Sequence, residues 1–191
     1  AMRYSDYALG QFFNKIKARG GFDDTLFVII GDHGFGGKVQ VTDMDLFRFN
    51  VPLLFIGKDI QGRFGKINET VGSQVDIVPT VMGMLGGSYV HHCWGRDLLA
   101  LPEGDPGRAV IKPSGNDQMV AFIEGEAILI KAPETGPKLF RYRIRPMMSA
   151  ELIDDHNKLQ QMQKELNAYL QTATHALIEN HAGHNDEMSQ K

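Results

Sequence analysis

The turn Gly31-Asp32-His33-Gly34 sets a carboxylate beside an imidazole, with a glycine on each side. Glycine lets a backbone bend tightly around an ion, and oxygen plus nitrogen donors suit Mn2+, Zn2+ or Mg2+. Asp32 and His33 are therefore candidate metal ligands. An Asp-His pair is also an ordinary turn composition, in which the aspartate caps and the histidine packs. Position favours the metal reading, because residues 25–30 (Thr-Leu-Phe-Val-Ile-Ile) form a continuous apolar run that ends at Gly31. Ligands of α/β sheets gather beyond the carboxyl ends of such strands.

Other reactive side chains carry less. His91 and His92 could reach such a pocket as substrate or second-metal groups, but adjacent side chains of an extended loop point apart. Cys93 is the chain's single cysteine, which excludes an internal disulfide framework. His181 and His184 have helical metal-pair spacing but flank Gly183 in a polar tail. Arg141, Arg143 and Arg145 alternate with Tyr142 and Ile144, which places the three arginines on one strand face as a solvated row.

The elements that must position the turn follow from periodicity. Residues 6–19 predict an amphipathic helix, with Leu9, Phe12, Phe13 and Ile16 on one face and Gly20-Gly21 as the stop. Residues 25–30 and 51–56 read as strands covered on both faces, which predicts a parallel α/β sheet. Between them, residues 34–50 form a polar, glycine-containing loop with Lys38, Asp43 and Asp45, a candidate substrate wall. Asp76 is placed to cap a helix that holds Pro79 in its first turn and closes at Gly86-Gly87. From Arg108 the pattern becomes an antiparallel meander. A long helix follows, with Leu159, Met162, Leu166, Tyr169, Leu170, Ala173 and Leu177 on one face and Asp154 and Asp155 at its start. The fold class expected is thus α/β, a partial parallel sheet flanked by helices, followed by the meander and the terminal helix. The division expected is 1–107 and 108–191.

Twenty basic against 23 acidic residues leave a net charge of −3, which removes any electrostatic reason to expect nucleic acid. No stretch reaches the roughly 18 apolar residues of a membrane helix, and the N-terminus lacks a signal-peptide pattern, so the chain reads as soluble. Ala1 before Met2 has the form of a tag remnant, which points to a chosen starting residue.

Five short motifs occur in one order: Tyr4-Ser5-Asp6-Tyr7-Ala8-Leu9-Gly10-Gln11-Phe12-Phe13; Thr25 through Gly34; Val51-Pro52-Leu53-Leu54-Phe55-Ile56-Gly57; Val75-Asp76-Ile77-Val78-Pro79-Thr80 with Leu85-Gly86; and Gly95-Arg96-Asp97-Leu98-Leu99. Together they resemble the signatures of sulfatase-like phosphoglycerol transferases, the lipoteichoic-acid-synthase-like group of the alkaline phosphatase/sulfatase superfamily. The resemblance covers about the first hundred residues closely, and the remainder looks like that family's C-terminal subdomain.

The resemblance implies a parent enzyme anchored by upstream membrane helices, with this domain extracytoplasmic. That enzyme transfers a phosphoglycerol or similar group on a cell-envelope glycolipid or polymer, through a metal-activated threonine. It implies that Asp32 and His33 bind the ion, Mn2+ first with Zn2+, Mg2+ or Ca2+ as alternatives. Lys38 stands where such enzymes place a lysine against the transferred group, and the bland alternative is a solvated loop lysine. His92 is the second substrate-contact candidate. The family's remaining acidic ligand and its nucleophile match no residue of this chain, and His92-Cys93-Trp94-Gly95-Arg96 lacks the Cys-x-Pro-Ser-Arg context of a formylglycine. The chain alone is therefore expected to be inactive and, with neighbouring strands absent, to associate with copies of itself. A sulfatase or phosphatase is the alternative within the enzyme class. A stand-alone non-catalytic binding module is the alternative outside it.

Overall fold

Strands β1 (Phe27–Ile30) and β2 (Leu53–Ile56) pair with each other, Phe27 opposite Ile56 and Ile30 opposite Leu53. The pairing is antiparallel, which corrects the parallel arrangement expected from two apolar runs. A continuous apolar run carries no information on strand direction, and the expected cover on both faces is not found either: no residue of β1 or β2 is fully buried, and Leu54 is exposed. The α/β class itself is as expected. The structure is a computed structural model and describes residues 2–36, 40–113 and 118–179. It forms two units, Ala1–Gly37 with Leu46–Asn68, and Lys38–Asp45 with Glu69–Lys191.

In the first unit, helix α1 (Met2–Ala18) begins four residues earlier than its periodicity predicts and buries no residue completely. Its attachment is aromatic. Phe12 and Phe13 meet the ring of Phe27 edge-on, with centroids 5.9 and 5.2 Å away, and Phe22 stacks on Phe27 at 5.8 Å. Offset and edge-to-face rings are the favoured geometry of such clusters. A 3-10 turn (Leu46–Arg48) precedes β2, and a short helix α2 (Ile60–Phe64) follows it.

The second unit is built on a five-stranded antiparallel sheet in sequential order: β3 (Arg108–Ile111), β4 (Val120–Glu124), β5 (Ala127–Ala132), β6 (Gly136–Arg143) and β7 (Ser149–Leu152). This is the expected meander, extended by β7. Helix α4 (His156–Ile178) starts where Asp155 accepts the Lys158 N–H, the capping role expected of that acid. Val120, Phe122, Leu129 and Leu139 share a core with Met162 and Leu166 of α4. Ala121, Ile128 and Ile130, on alternating positions, are equally buried, so both faces of the sheet are covered. The loop segment 40–45 belongs to this unit: Thr42 and Met44 are buried, and Asp43 lies 2.7 Å from Lys138 of β6.

Helix α3 (Ile77–Leu85) has Asp76 at its N-cap position as expected, but the Asp76 side chain makes no capping bond to this helix. Asp76 ends a 3-10 turn (Gln74–Asp76), and its carboxylate accepts N–H groups from Ser73 and Arg96, each at 2.7 Å. Thr80, fully buried, accepts the Leu98 N–H at 3.0 Å. Gly95 is packed so closely that a Cβ would stand 1.9 Å from the Val75 carbonyl oxygen. Trp94 meets Tyr169 of α4 edge-on at 5.5 Å. Burial, seconded by the Asp76 charge, raises the Tyr169 phenol above its ordinary range.

Candidate functional site

The backbone around Asp32 and His33 is fixed on one side by the chain entering β2. Beyond the Ile30–Leu53 pair the ladder continues, with the Gly31 N–H donating to the Pro52 carbonyl at 3.2 Å and the Gly34 N–H to the Arg48 carbonyl at 2.9 Å. Proximity requires the glycine at 34 and makes position 31 tight. A Cβ on Gly31 would lie 3.2 Å from Cβ of Val51, and one on Gly34 would lie 2.0 Å from the Phe47 carbonyl oxygen. A tightly packed glycine and a strictly required one thus bracket a two-residue turn whose side chains are exposed.

Within the turn, Asp32 Oδ1 accepts the His33 backbone N–H at 2.8 Å. His33 Nδ1 lies 3.1 Å from the Gly34 carbonyl oxygen. A carbonyl only accepts, so this contact calls for the proton on Nδ1 and leaves the Nε2 lone pair open, the usual orientation of a metal-binding imidazole. Nε2 and Asp32 Oδ2 are 3.8 Å apart, with the two side chains 75% and 90% exposed. Two ligands each about 2.1 Å from one ion can be separated by at most about 4.2 Å, so the separation is compatible with a single cation. The donor types fit as well. Among the described residues no group of three or more His, Cys, Asp or Glu side chains gathers to hold a metal.

The structure brings together Asp32 and His33 among the residues singled out from the sequence. Lys38 lies outside the described residues, as do His181 and His184. His91 and His92 belong to the other unit. His91 stacks on Tyr89 at 5.6 Å, and its Nδ1 accepts the Cys93 N–H at 3.2 Å, while His92 is exposed. Arg96 and Asp97 serve the backbone: the Arg96 N–H meets Asp76, and Asp97 Oδ1 accepts the Leu99 N–H at 2.9 Å. Arg141, Arg143 and Arg145 are exposed, as their alternation predicts.

Arg48 was not anticipated. It sits directly across the ladder from Gly34, on a 3-10 turn whose Leu46 is buried and whose carbonyl accepts from Phe49 and Asn50 at 3.1 and 3.2 Å. A parallel pair of strands would separate the residues before β2 from those after β1. The antiparallel pairing makes them neighbours, and the sequence periodicity held no signal for that.

Comparison with known proteins points to the same superfamily as the resemblance read from the motifs. The family model described as Sulfatase matches residues 1–87. The chain is 33% identical over 110 residues to the multifunctional alkaline phosphatase superfamily protein PehA of Trinickia caryophylli, a match covering 53% of this chain and 21% of that protein. It is 24% identical over 181 residues to the lipoteichoic acid synthase of Staphylococcus aureus (strain USA300), covering 86% of this chain and 25% of the synthase. A solved structure of a protein in the alkaline phosphatase superfamily from Vibrio parahaemolyticus superposes with a TM-score of 0.74 at 25% identity, over 95% of this chain and 42% of that one. The chain therefore spans about a fifth to a quarter of the length of the curated relatives it matches.

Proposed function

We propose, from the premise that this chain is a sulfatase-like member of the alkaline phosphatase superfamily, that its Asp32 and His33 are two ligands of a divalent cation in a phosphoryl- or sulfuryl-transfer site. The observation that carries the reading is the convergence of Asp32 Oδ2 and His33 Nε2 at the end of β1, inside the stretch that matches the sulfatase family. When bound, the ion supplies Lewis acidity toward an ester oxygen and lowers the pKa of an attacking hydroxyl.

The chain's own residues do the holding. Asp32 contributes charge and a hard oxygen. His33 contributes a nitrogen whose ring is oriented by the Gly34 carbonyl, and the Gly31 and Gly34 ladder bonds keep both side chains on one side of the turn. The finer reading is transfer of a phosphoglycerol-type group on an envelope glycolipid or polymer, with Mn2+ as the ion, by an enzyme held at the membrane with this domain outside the cytoplasm. The match to lipoteichoic acid synthase across most of this chain supports it over a sulfuric ester hydrolase. Among the described residues no helix is long and apolar enough to cross a membrane. Lys38 and His92 are the substrate-contact residues of this reading.

The test is metal analysis and turnover of the full-length gene product with Asp32→Asn. Bound Mn2+ should fall below about a tenth of wild type, and hydrolysis or transfer of phosphodiester substrates should drop at least about 100-fold. Unchanged metal content and activity would remove Asp32 from the site. A panel of aryl phosphodiester, aryl phosphate and aryl sulfate substrates separates the phosphoglycerol reading from the sulfatase one.

A further inference from the structure

The turn that carries Asp32 and His33 is hydrogen-bonded to the backbone of an arginine, Arg48. Arg48 is anchored by its own backbone: its carbonyl accepts the Gly34 N–H at 2.9 Å, and the Arg48 carbonyl carbon would stand 3.3 Å from a Cβ at Gly34. The 3-10 turn that presents it is pinned by Leu46, 4% exposed, while the Arg48 side chain is exposed. Among the basic residues of this unit, Arg3, Lys15, Lys17, Arg19, Lys58, Arg63 and Lys66 are placed on α1, around α2 or in the loops flanking them. Among the described basic residues of this unit, Arg48 is the one whose backbone is hydrogen-bonded to the Gly31–Gly34 turn.

We propose that Arg48 is the anion-positioning residue of this site, gripping the non-bridging oxygens of a phosphate or sulfate ester held over Asp32 and His33. This rests on the functional reading above and adds to it the residue that recognises the substrate's charge. Asp32 by itself repels an anionic ester. A cation alone counters that repulsion without fixing the ester's orientation, whereas a guanidinium fork meets two oxygens of a tetrahedral oxyanion at once. A long side chain on a rigid base, one ladder position from the ligands, can do this with little motion of the backbone. The sequence offers no such residue on the other side of the turn within the described chain, since Phe35 and Gly36 follow Gly34.

The experiment compares wild type, Arg48→Ala and Arg48→Lys in the full-length product. Three quantities are read: bound Mn2+, calorimetric affinity of the Mn2+-loaded protein for inorganic phosphate and sulfate, and the KM and kcat for an aryl phosphodiester. Arg48→Ala should keep its metal, weaken phosphate binding and raise KM by about 10- to 100-fold, and leave kcat within about threefold. Arg48→Lys should fall between, because the ammonium keeps the charge and loses the fork. Phosphate affinity equal to wild type in Arg48→Ala, or a wild-type protein that binds Mn2+ and neither anion, would overturn the inference. Retention of metal by Asp32→Asn would instead overturn the functional reading beneath it. If Arg48→Ala does not fold, Arg48→Lys and Arg48→Gln carry the same comparison.

Discussion

The unit formed by 38–45 and 69–191 buries side chains on both faces of its sheet, with Ala121, Ile128, Leu129, Met162 and Leu166 fully enclosed. In the unit formed by 1–37 and 46–68, α1 encloses none of its seventeen residues, and Met2, Tyr4, Tyr7, Leu9 and Phe12 are exposed. The candidate chemistry lies in the second of these. Free energy of folding resides where apolar area is removed from water, so stability and reactivity are carried by different parts of this chain. Substitutions should therefore separate into those that unfold and those that disarm.

The largest structural effect is expected from Leu166→Ala. It leaves a cavity between α4 and the sheet and should lower stability by about 2–5 kcal/mol in urea titrations. Trp94, the single tryptophan, packs on Tyr169 and reports this unit by fluorescence. Asp76→Ala comes next: it orphans the N–H groups of Ser73 and Arg96 and should cost about 1–3 kcal/mol in the same assay. Asp155→Ala removes the α4 cap and should cost about 1 kcal/mol, with faster amide exchange confined to the first turn of that helix. Asp32→Asn, at an exposed surface turn, should leave the unfolding midpoint within about 0.5 kcal/mol of wild type while removing metal binding. A loss above about 1 kcal/mol in metal-free buffer would break the separation. Amide exchange sharpens it further: protection should peak in β4 and β5 and be least in α1.

What could be read from the sequence divides along the same line. The meander and α4 were legible because alternation and a 3.6-residue period report burial directly, and Leu159, Met162, Leu166 and Leu170 do line the core. The candidate pair could be singled out because Asp32 and His33 are neighbours in the chain and share one turn. The strands β1 and β2 were found but oriented wrongly, since direction depends on the path of residues 31–52 and not on their hydrophobicity. Arg48 was invisible for the same reason. The Val75–Thr80 and Gly95–Leu99 motifs, read through resemblance, prove to be each other's structural partners: Asp76 and Thr80 hold the backbone of Arg96 and Leu98. Their packing accounts for the glycine at 95 without any chemistry.

The segment 38–45 interrupts one unit with a piece of the other, and Asp43 and Lys138 stand 95 positions apart along the chain. Neither unit is thus a continuous stretch of polypeptide. Cutting the gene at residue 68 would not yield two autonomous halves, because the downstream half would leave behind Thr42, Asp43 and Met44. Anyone who wishes to produce the five-stranded unit alone must graft residues 40–45 back, through a linker or a circular permutation, and not merely choose a new start codon.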